Sequence, residues 1–83
     1  KVEETQELLE SKLDELGEID FENQDTLFTG NPNLTIIGLV KQNDTYYITG
    51  HSEHGTTDHI EIMNVSVDDL LYCVEQIEKQ FFL

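Results

Sequence analysis

Residues 34–49 of the chain, LTIIGLVKQNDTYYIT, decide its fold class. Residues 34–40 are rich in β-branched side chains and apolar at both alternating positions, which is typical of a central strand or of one covered on its second side. The polar triplet at residues 42–44 has the composition of a tight turn. Residues 45–49 are again rich in β-branched and aromatic side chains. The segment therefore predicts an antiparallel hairpin.

Upstream of this hairpin, the sequence predicts a further strand and a turn. Residues 18–22 alternate polar and apolar side chains, as a half-buried strand does. Residues 30–33, GNPN, have strong turn composition. Residues 26–29 between them fit either a second short strand or an extended connection.

Downstream of the hairpin, the sequence predicts a polar loop at residues 50–57 and a final strand at residues 58–64. In this strand, alternation places Ile60 and Ile62 toward the core. The side chains expected to face outward are His59, Glu61 and Met63.

A helix is predicted at each end of the chain. Residues 1–16 contain good helix formers without Gly or Pro, and Gly17 is the expected stop. This first helix separates an apolar face from an acidic one. Near the other end, Ser66 is a favourable N-cap, with Asp69 placed in the first turn to interact with it. The apolar residues that then share one helical face are Val67, Leu70, Leu71, Val74, Ile77 and Phe81.

Together these elements predict one small α+β domain over residues 1–83. Its three- or four-stranded antiparallel sheet is flanked by an N-terminal and a C-terminal helix, both packed on the sheet. A chain of this length has no room for a second domain. Because residues 34–40 are apolar on both faces, a homodimer through the open face of the sheet is also expected to be possible.

Net charge is the feature that says most about function. Eighteen Asp and Glu residues against four lysines give a formal net charge of −14, whereas a magnitude of roughly 2–8 keeps a small domain soluble. Like charges repel one another, so the compact state forms against its own field. A surface of this sign argues against direct binding to DNA, RNA or an anionic membrane.

The acidic residues are concentrated at the first helix. Seven carboxylates lie between positions 3 and 18, and this stretch spans about 22 Å as a helix. The resulting spacing of ~3.7 Å per charge is close to the ~3.4 Å between phosphates along one DNA strand. Compensating lysines are scarce, since only Lys12 and Lys1 are near. The row therefore predicts a rigid anionic edge that fits the basic groove of a nucleic-acid-binding protein, although a plain solvated helix face has the same composition.

The residues expected to contact such a partner lie on both helices. At the first helix they are Glu3, Glu7, Glu10, Asp14 and Glu18. On the second helix, Tyr72 is expected to point away from the apolar face and to be flanked by carboxylates. The residues proposed there are Asp68, Asp69, Tyr72 and Glu75.

In size, charge and helix–sheet–helix plan, the chain resembles the small acidic inhibitors that phages and mobile elements encode against host nucleases, glycosylases and CRISPR effectors. The resemblance implies a non-catalytic, nucleic-acid-mimicking inhibitor of the anti-CRISPR or anti-restriction type. No residue motif carries the resemblance, so it assigns no site.

Two alternative functions are weighed against this one. The first is an acidic dimeric adaptor, similar to a secretion chaperone, whose charge keeps it and its client in solution. The second is a small metal-binding domain that uses His51, His54 and His59. Imidazole is a good ligand for transition metals, but this spacing matches no established zinc pattern, so neither a metal nor another cofactor is expected.

The remaining signals concern catalysis and compartment. The chain contains no recognisable catalytic motif, and we expect it not to be an enzyme. Cys73 is the one cysteine, which excludes an internal disulfide and fits a reducing compartment. Its acidic neighbours should raise the pKa of this thiol, so an inert packed cysteine is expected. Without a signal-peptide pattern at the start, these features predict a cytoplasmic protein.

Overall fold

The computed structural model of the chain describes residues 2–82, and the side chains of residues 4–82. It contains two helices and a four-stranded antiparallel sheet whose strands lie in chain order. This arrangement confirms the predicted α+β class, with four strands rather than three. The elements are α1 (Val2–Leu16), β1 (Glu18–Asp20), β2 (Leu34–Gln42), β3 (Thr45–Ser52), β4 (Thr57–Glu61), a 3-10 turn (Ile62–Asn64) and α2 (Val67–Phe81).

The central hairpin forms as predicted. Its loop is the pair Asn43 and Asp44, which have φ values of 50° and 66°. Two consecutive residues with positive φ are the hallmark of a type I′ turn, whose twist matches that of the flanking strands. Asn and Asp tolerate this conformation better than most residues do. A register shift between Ile36 and Gly38 then bends β2 against its neighbours.

Strand boundaries differ from prediction on both sides of the hairpin. β3 continues to Ser52, so the predicted loop at residues 50–57 shrinks to four residues between β3 and β4. β4 ends at Glu61 because the chain enters the 3-10 turn, although Ile62 is buried and Met63 exposed, as alternation predicts. β1 has only three residues. The segment at residues 26–29 is an extended connection with one isolated bridge, between Leu27 and Thr35.

The hydrophobic core lies between one face of the sheet and the two helices. α1 contributes Leu9 and Leu13, and the sheet contributes residues such as Leu39 and Ile48, which pair across β2 and β3. Ile77 is one of the buried residues of α2. The opposite face of the sheet is covered by none of the described elements, and its residues are partly exposed, including Thr35, Ile37, Val40, Tyr47 and Thr49.

The end of α1 and the start of α2 are both formed by the residues that the sequence predicts. Gly17 has a φ of +80°, and its backbone N–H donates to the carbonyl of Leu13 at 2.7 Å. This left-handed conformation costs glycine little and ends α1. At the start of α2, the Ser66 hydroxyl accepts a hydrogen bond from the backbone N–H of Asp69 at 3.2 Å. Both terminal signals are therefore confirmed.

Candidate interaction surface

The buried face of α2 differs from the apolar face that helical periodicity predicts. Val67 and Leu71 were expected in the core but are 47% and 51% exposed. The helix is instead rotated toward its polar side, because residues 21–29 pack there. The residues of α2 that are buried are Asp69, Leu70, Cys73, Gln76 and Ile77.

Asp69 forms the most direct hydrogen bonds between α2 and residues 21–29. Its carboxylate is only 4% exposed. The backbone N–H of Thr29 donates to both carboxylate oxygens, at 3.1 and 3.2 Å, and the Thr29 hydroxyl donates to Oδ1 at 2.9 Å. Hydrogen bonds to a charged acceptor are stronger than neutral ones. Asp69 therefore ties residues 21–29 to α2. Its burial removes it from the surface that a partner could contact.

Tyr72 was expected to point away from the apolar face, and this expectation is wrong. Its ring packs edge-on against the buried Phe21, with 6.1 Å between the ring centroids. Its hydroxyl donates to the backbone carbonyl of Asn23 at 2.9 Å. Tyr72 thus anchors the same connecting segment as Asp69 does, and its ring is partly buried by this chain.

Asp14 is also engaged within the chain. Its Oδ1 accepts hydrogen bonds from Lys41 Nζ at 2.9 Å and from the Tyr46 hydroxyl at 2.7 Å. The Lys41 ammonium, and then the Tyr46 hydroxyl, hold the pKa of the Asp14 carboxyl below its ordinary value. In return, Asp14 raises the pKa of Lys41. The predicted acidic row is therefore neutralised at its Asp14 end.

The Asp14–Lys41 ion pair should make the stability of the fold depend on pH. A carboxyl whose pKa is lower in the folded state stabilises the fold above its unfolded pKa, and that contribution is lost as pH falls through the folded value. We expect Lys41→Met to raise the titration midpoint of Asp14, followed by NMR of the side-chain carboxyl. Lys79→Met is the matched control, since it removes the same charge from α2. Equal shifts in both variants would show that net charge, rather than the pair, sets the midpoint.

Two of the α1 acids whose side chains the structure describes remain unpaired. Glu7 is exposed and Glu10 partly exposed, and neither forms a hydrogen bond or ion pair with a residue whose side chain is described. Lys12, the nearest described lysine in sequence, lies 3.2 Å from Glu15 instead. Its ammonium also sits 5.0 Å from the centroid of each of two aromatic rings near the end of α2, those of Phe81 and Phe82.

The two ends of the predicted row, Glu3 and Glu18, do not add to the unpaired acids described on α1. Glu3 belongs to α1 by its backbone, but its side chain lies outside the described residues. Glu18 is exposed but does not continue the helical row, because Gly17 ends α1 and Glu18 begins β1. Of the five acids predicted here, Glu7 and Glu10 are the two whose described side chains lie unpaired on the helix.

On α2, two of the predicted residues have the expected exposure. Asp68 and Glu75 are both exposed, and neither lies within ion-pair distance of a described lysine. Asp68 is in the first turn, where a negative charge interacts favourably with the helix dipole. The exposed charge of Asp68 is therefore compatible with the helix that carries it.

A groove beside α1 brings together acids that sequence reasoning did not connect. It has a volume of about 340 Å³, and its lining includes Glu10, Asp44 and Glu61, together with Tyr46 and the exposed Met63. Asp44 comes from the tight turn and Glu61 from the end of β4. Three separate elements supply these carboxylates, so no spacing in the sequence could have indicated the groove.

The histidines do not converge. His51 lies at hydrogen-bond distance from the Thr57 hydroxyl, 3.3 Å from Nδ1 to Oγ1. The His59 ring lies against Tyr47, with centroids 5.8 Å apart, while His54 is exposed at the tip of the β3–β4 loop. Within residues 4–82, no three His, Cys, Asp or Glu side chains are placed to hold a metal ion. The metal-binding alternative thus gains no ligand set from these residues.

Cys73 is a packed thiol, as predicted. Its side chain is fully buried in the core. Burial raises the pKa of the thiol far above its ordinary value, and the nearby Asp69 carboxylate adds to the effect. A thiol held protonated in this way is a poor nucleophile.

No family model matches the chain, and neither a curated protein nor a solved structure is significantly similar to it. Among the described helices, none has the length and apolar character needed to cross a membrane.

Proposed function

We propose that this chain is a non-catalytic acidic binding protein that occupies the basic site of a nucleic-acid-binding protein, as nucleic-acid-mimicking inhibitors of phages and mobile elements do. The observation that carries the proposal is the set of unpaired acids on both helices in a chain of net charge −14. The described members of that set include Glu7, Glu10, Asp68 and Glu75.

The charge balance supports this function. Two described lysines form ion pairs with carboxylates, and these pairs engage Glu15 and Asp14 rather than the exposed set. The four acids named above sit on helices that are held in place by the core, so little conformational entropy is lost when cations meet them. Arg and Lys side chains shaped to hold phosphates also form strong hydrogen bonds with carboxylates. The long-range field would further accelerate encounter with a basic partner.

The lone buried thiol of Cys73 is compatible with a reducing compartment. We therefore place the proposed function in the cytoplasm, where host nucleic-acid-binding proteins are accessible. Such an inhibitor needs neither a metal nor another cofactor.

The first experiment is capture from a host lysate on the immobilised protein at low and high salt. Charge mimicry predicts that capture weakens steeply as salt rises. It also predicts that duplex DNA elutes the captured proteins, since DNA competes for the same basic site. Captured proteins that DNA leaves in place would contradict the proposal.

A matched pair of charge variants localises the surface. Glu7→Lys with Glu10→Lys should reduce capture by about tenfold or more, because both changes place cations against a basic site. Glu53→Lys with Asp58→Lys changes net charge equally at the β3–β4 hairpin and should retain most of the capture. Asp14 is left unchanged because it binds Lys41. Equal losses in the two variants would show that net charge acts without a defined surface.

The uncovered sheet face favours a second candidate, an acidic dimeric adaptor. Val40 and Tyr47 pair across β2 and β3, the two middle strands of the sheet, and are only partly buried. Two copies joined there would bury apolar surface away from the acidic helices. Sedimentation equilibrium tests this directly, since a dimer that dissociates in Tyr47→Lys would support the adaptor.

A further inference from the structure

An apolar stripe remains exposed where the chain enters and begins α2. We define it by three residues: Met63, Val67 and Leu71, which are 74%, 47% and 51% exposed. Val67 and Leu71 are one helical turn apart, and Met63 lies in the 3-10 turn four residues earlier. Val67 and Leu71 therefore share one exposed face of α2, and Met63 precedes that face in the chain. Exposed large apolar side chains that lie together often mark an interaction site.

The rotation of α2 explains why the stripe is exposed. Residues 21–29 pack on the polar side of the helix and are tied to it through Asp69 and Tyr72. Turning that side inward turns Val67 and Leu71 outward. The exposure is therefore set by specific hydrogen bonds, and the described chain leaves about half of each of these two side chains uncovered.

Carboxylates lie beside the α2 part of the stripe and also next to Met63. On α2, Asp68 and Glu75 each lie within about one turn of Leu71 and are exposed. At the other end, Met63 opens onto the groove lined by Glu10 and two further acids. An occupant must therefore present apolar groups to the stripe and cations to its borders.

We propose that the stripe docks a cationic amphipathic helix of the partner, and this inference rests on the proposed function because it concerns the same basic protein. Basic helices are a common means by which proteins enter the major groove of DNA. The apolar face of such a helix packs on Leu71 and its neighbours, while its Lys and Arg side chains meet the bordering carboxylates. A second copy of this chain is a poor occupant of the stripe, since its own stripe is bordered by the same carboxylates, Asp68 and Glu75, which would repel those of the first copy.

The test uses a fluorescent peptide of Leu and Lys, about fourteen residues long or roughly four turns, with Leu on one face of the helix. A shuffled peptide of the same composition removes the amphipathic pattern while keeping the charge. Fluorescence anisotropy measures both affinities. We expect the amphipathic peptide to bind at least about tenfold more tightly than the shuffled one, since it alone aligns its apolar groups with the stripe.

Leu71→Ser and Leu27→Ser form a matched pair of variants. Leu27 is 49% exposed, so both changes remove the same side chain from a similarly exposed position. Leu71→Ser should weaken binding of the amphipathic peptide by about tenfold, and Leu27→Ser by less than about twofold. Thermal unfolding of both variants checks that each remains folded. Equal effects, or equal affinity for the two peptides, would overturn the docking site.

The outcomes separate this inference from the function on which it rests. Loss of lysate capture on reversing Glu7 and Glu10, with peptide affinity unchanged by Leu71→Ser, would overturn only the docking stripe. Peptide binding that depends on Leu71, with captured proteins that DNA fails to elute, would overturn only nucleic-acid mimicry. A wild-type dimer that Leu71→Ser dissociates would show that a second copy occupies the stripe instead.

Discussion

Replacing Asp69 with alanine is expected to lower the free energy of unfolding by about 2–3 kcal/mol, even though it removes a charge from a strongly repelling chain. The buried carboxylate accepts hydrogen bonds from the backbone N–H and the hydroxyl of Thr29. Without it, these donors lose their charged acceptor and residues 21–29 lose a tether to α2. The loss of the bonds outweighs the relief of repulsion, which is spread over many distant carboxylates.

Asp68→Ala is the control for this prediction. It makes the same chemical change at the neighbouring position, where the side chain is exposed. The free energy of unfolding of Asp68→Ala should stay within about 0.5 kcal/mol of that of the unchanged protein. Urea unfolding is the appropriate measurement, since an uncharged denaturant leaves the repulsion unscreened. Equal free energies of unfolding in the two variants would show that the hydrogen bonds between Asp69 and Thr29 do not stabilise the fold.

The parts of the fold that could be predicted are those governed by local interactions. The type I′ turn at Asn43 and Asp44 depends on the conformational tolerance of two residues. The end of α1 depends on Gly17, and the start of α2 on the Ser66 hydroxyl. Each signal acts within a few residues, so the sequence pattern contains the whole cause.

The orientation of α2 could not be predicted in the same way. Helical periodicity favours burying Val67 and Leu71, which are the more apolar residues. The structure instead buries Asp69, because Thr29, forty residues away in the sequence, supplies its hydrogen-bond donors. The position of Tyr72 likewise depends on a distant backbone carbonyl. Such long-range pairing leaves no trace in local spacing.

The candidate surface could be predicted only in part. The acidic character of α1 was evident from composition, and Glu7 and Glu10 remain its unpaired described members. Whether a given acid is free depends on which cations the fold brings near it, and Lys41 reaches Asp14 from a neighbouring strand. The groove that joins Glu10 to Met63 required the same tertiary information. Charge patterning therefore indicates a surface, while only the fold selects its members.

Replacing Gly38 with alanine should destabilise the fold by about 2–4 kcal/mol, the upper range for overpacking at a rigid site. A Cβ at this position would collide with the backbone carbonyl oxygen of Ile19 and lie 3.3 Å from the Asp20 Cα. Backbone atoms cannot turn aside as a flexible side chain can. β1 would have to move away from β2, which weakens a strand of only three residues and the burial of Ile19.

Gly30→Ala separates this clash from the general effect of replacing glycine. A Cβ at Gly30 would have no neighbour within 4 Å, and its φ is not positive. Alanine there should be neutral or slightly stabilising, since it restricts the unfolded chain. Urea unfolding of both variants, with amide hydrogen exchange of the β1–β2 pairing, tests the mechanism. Destabilisation by Gly38→Ala should come with faster exchange at Ile19 and Phe21; unchanged exchange there would place the cause elsewhere.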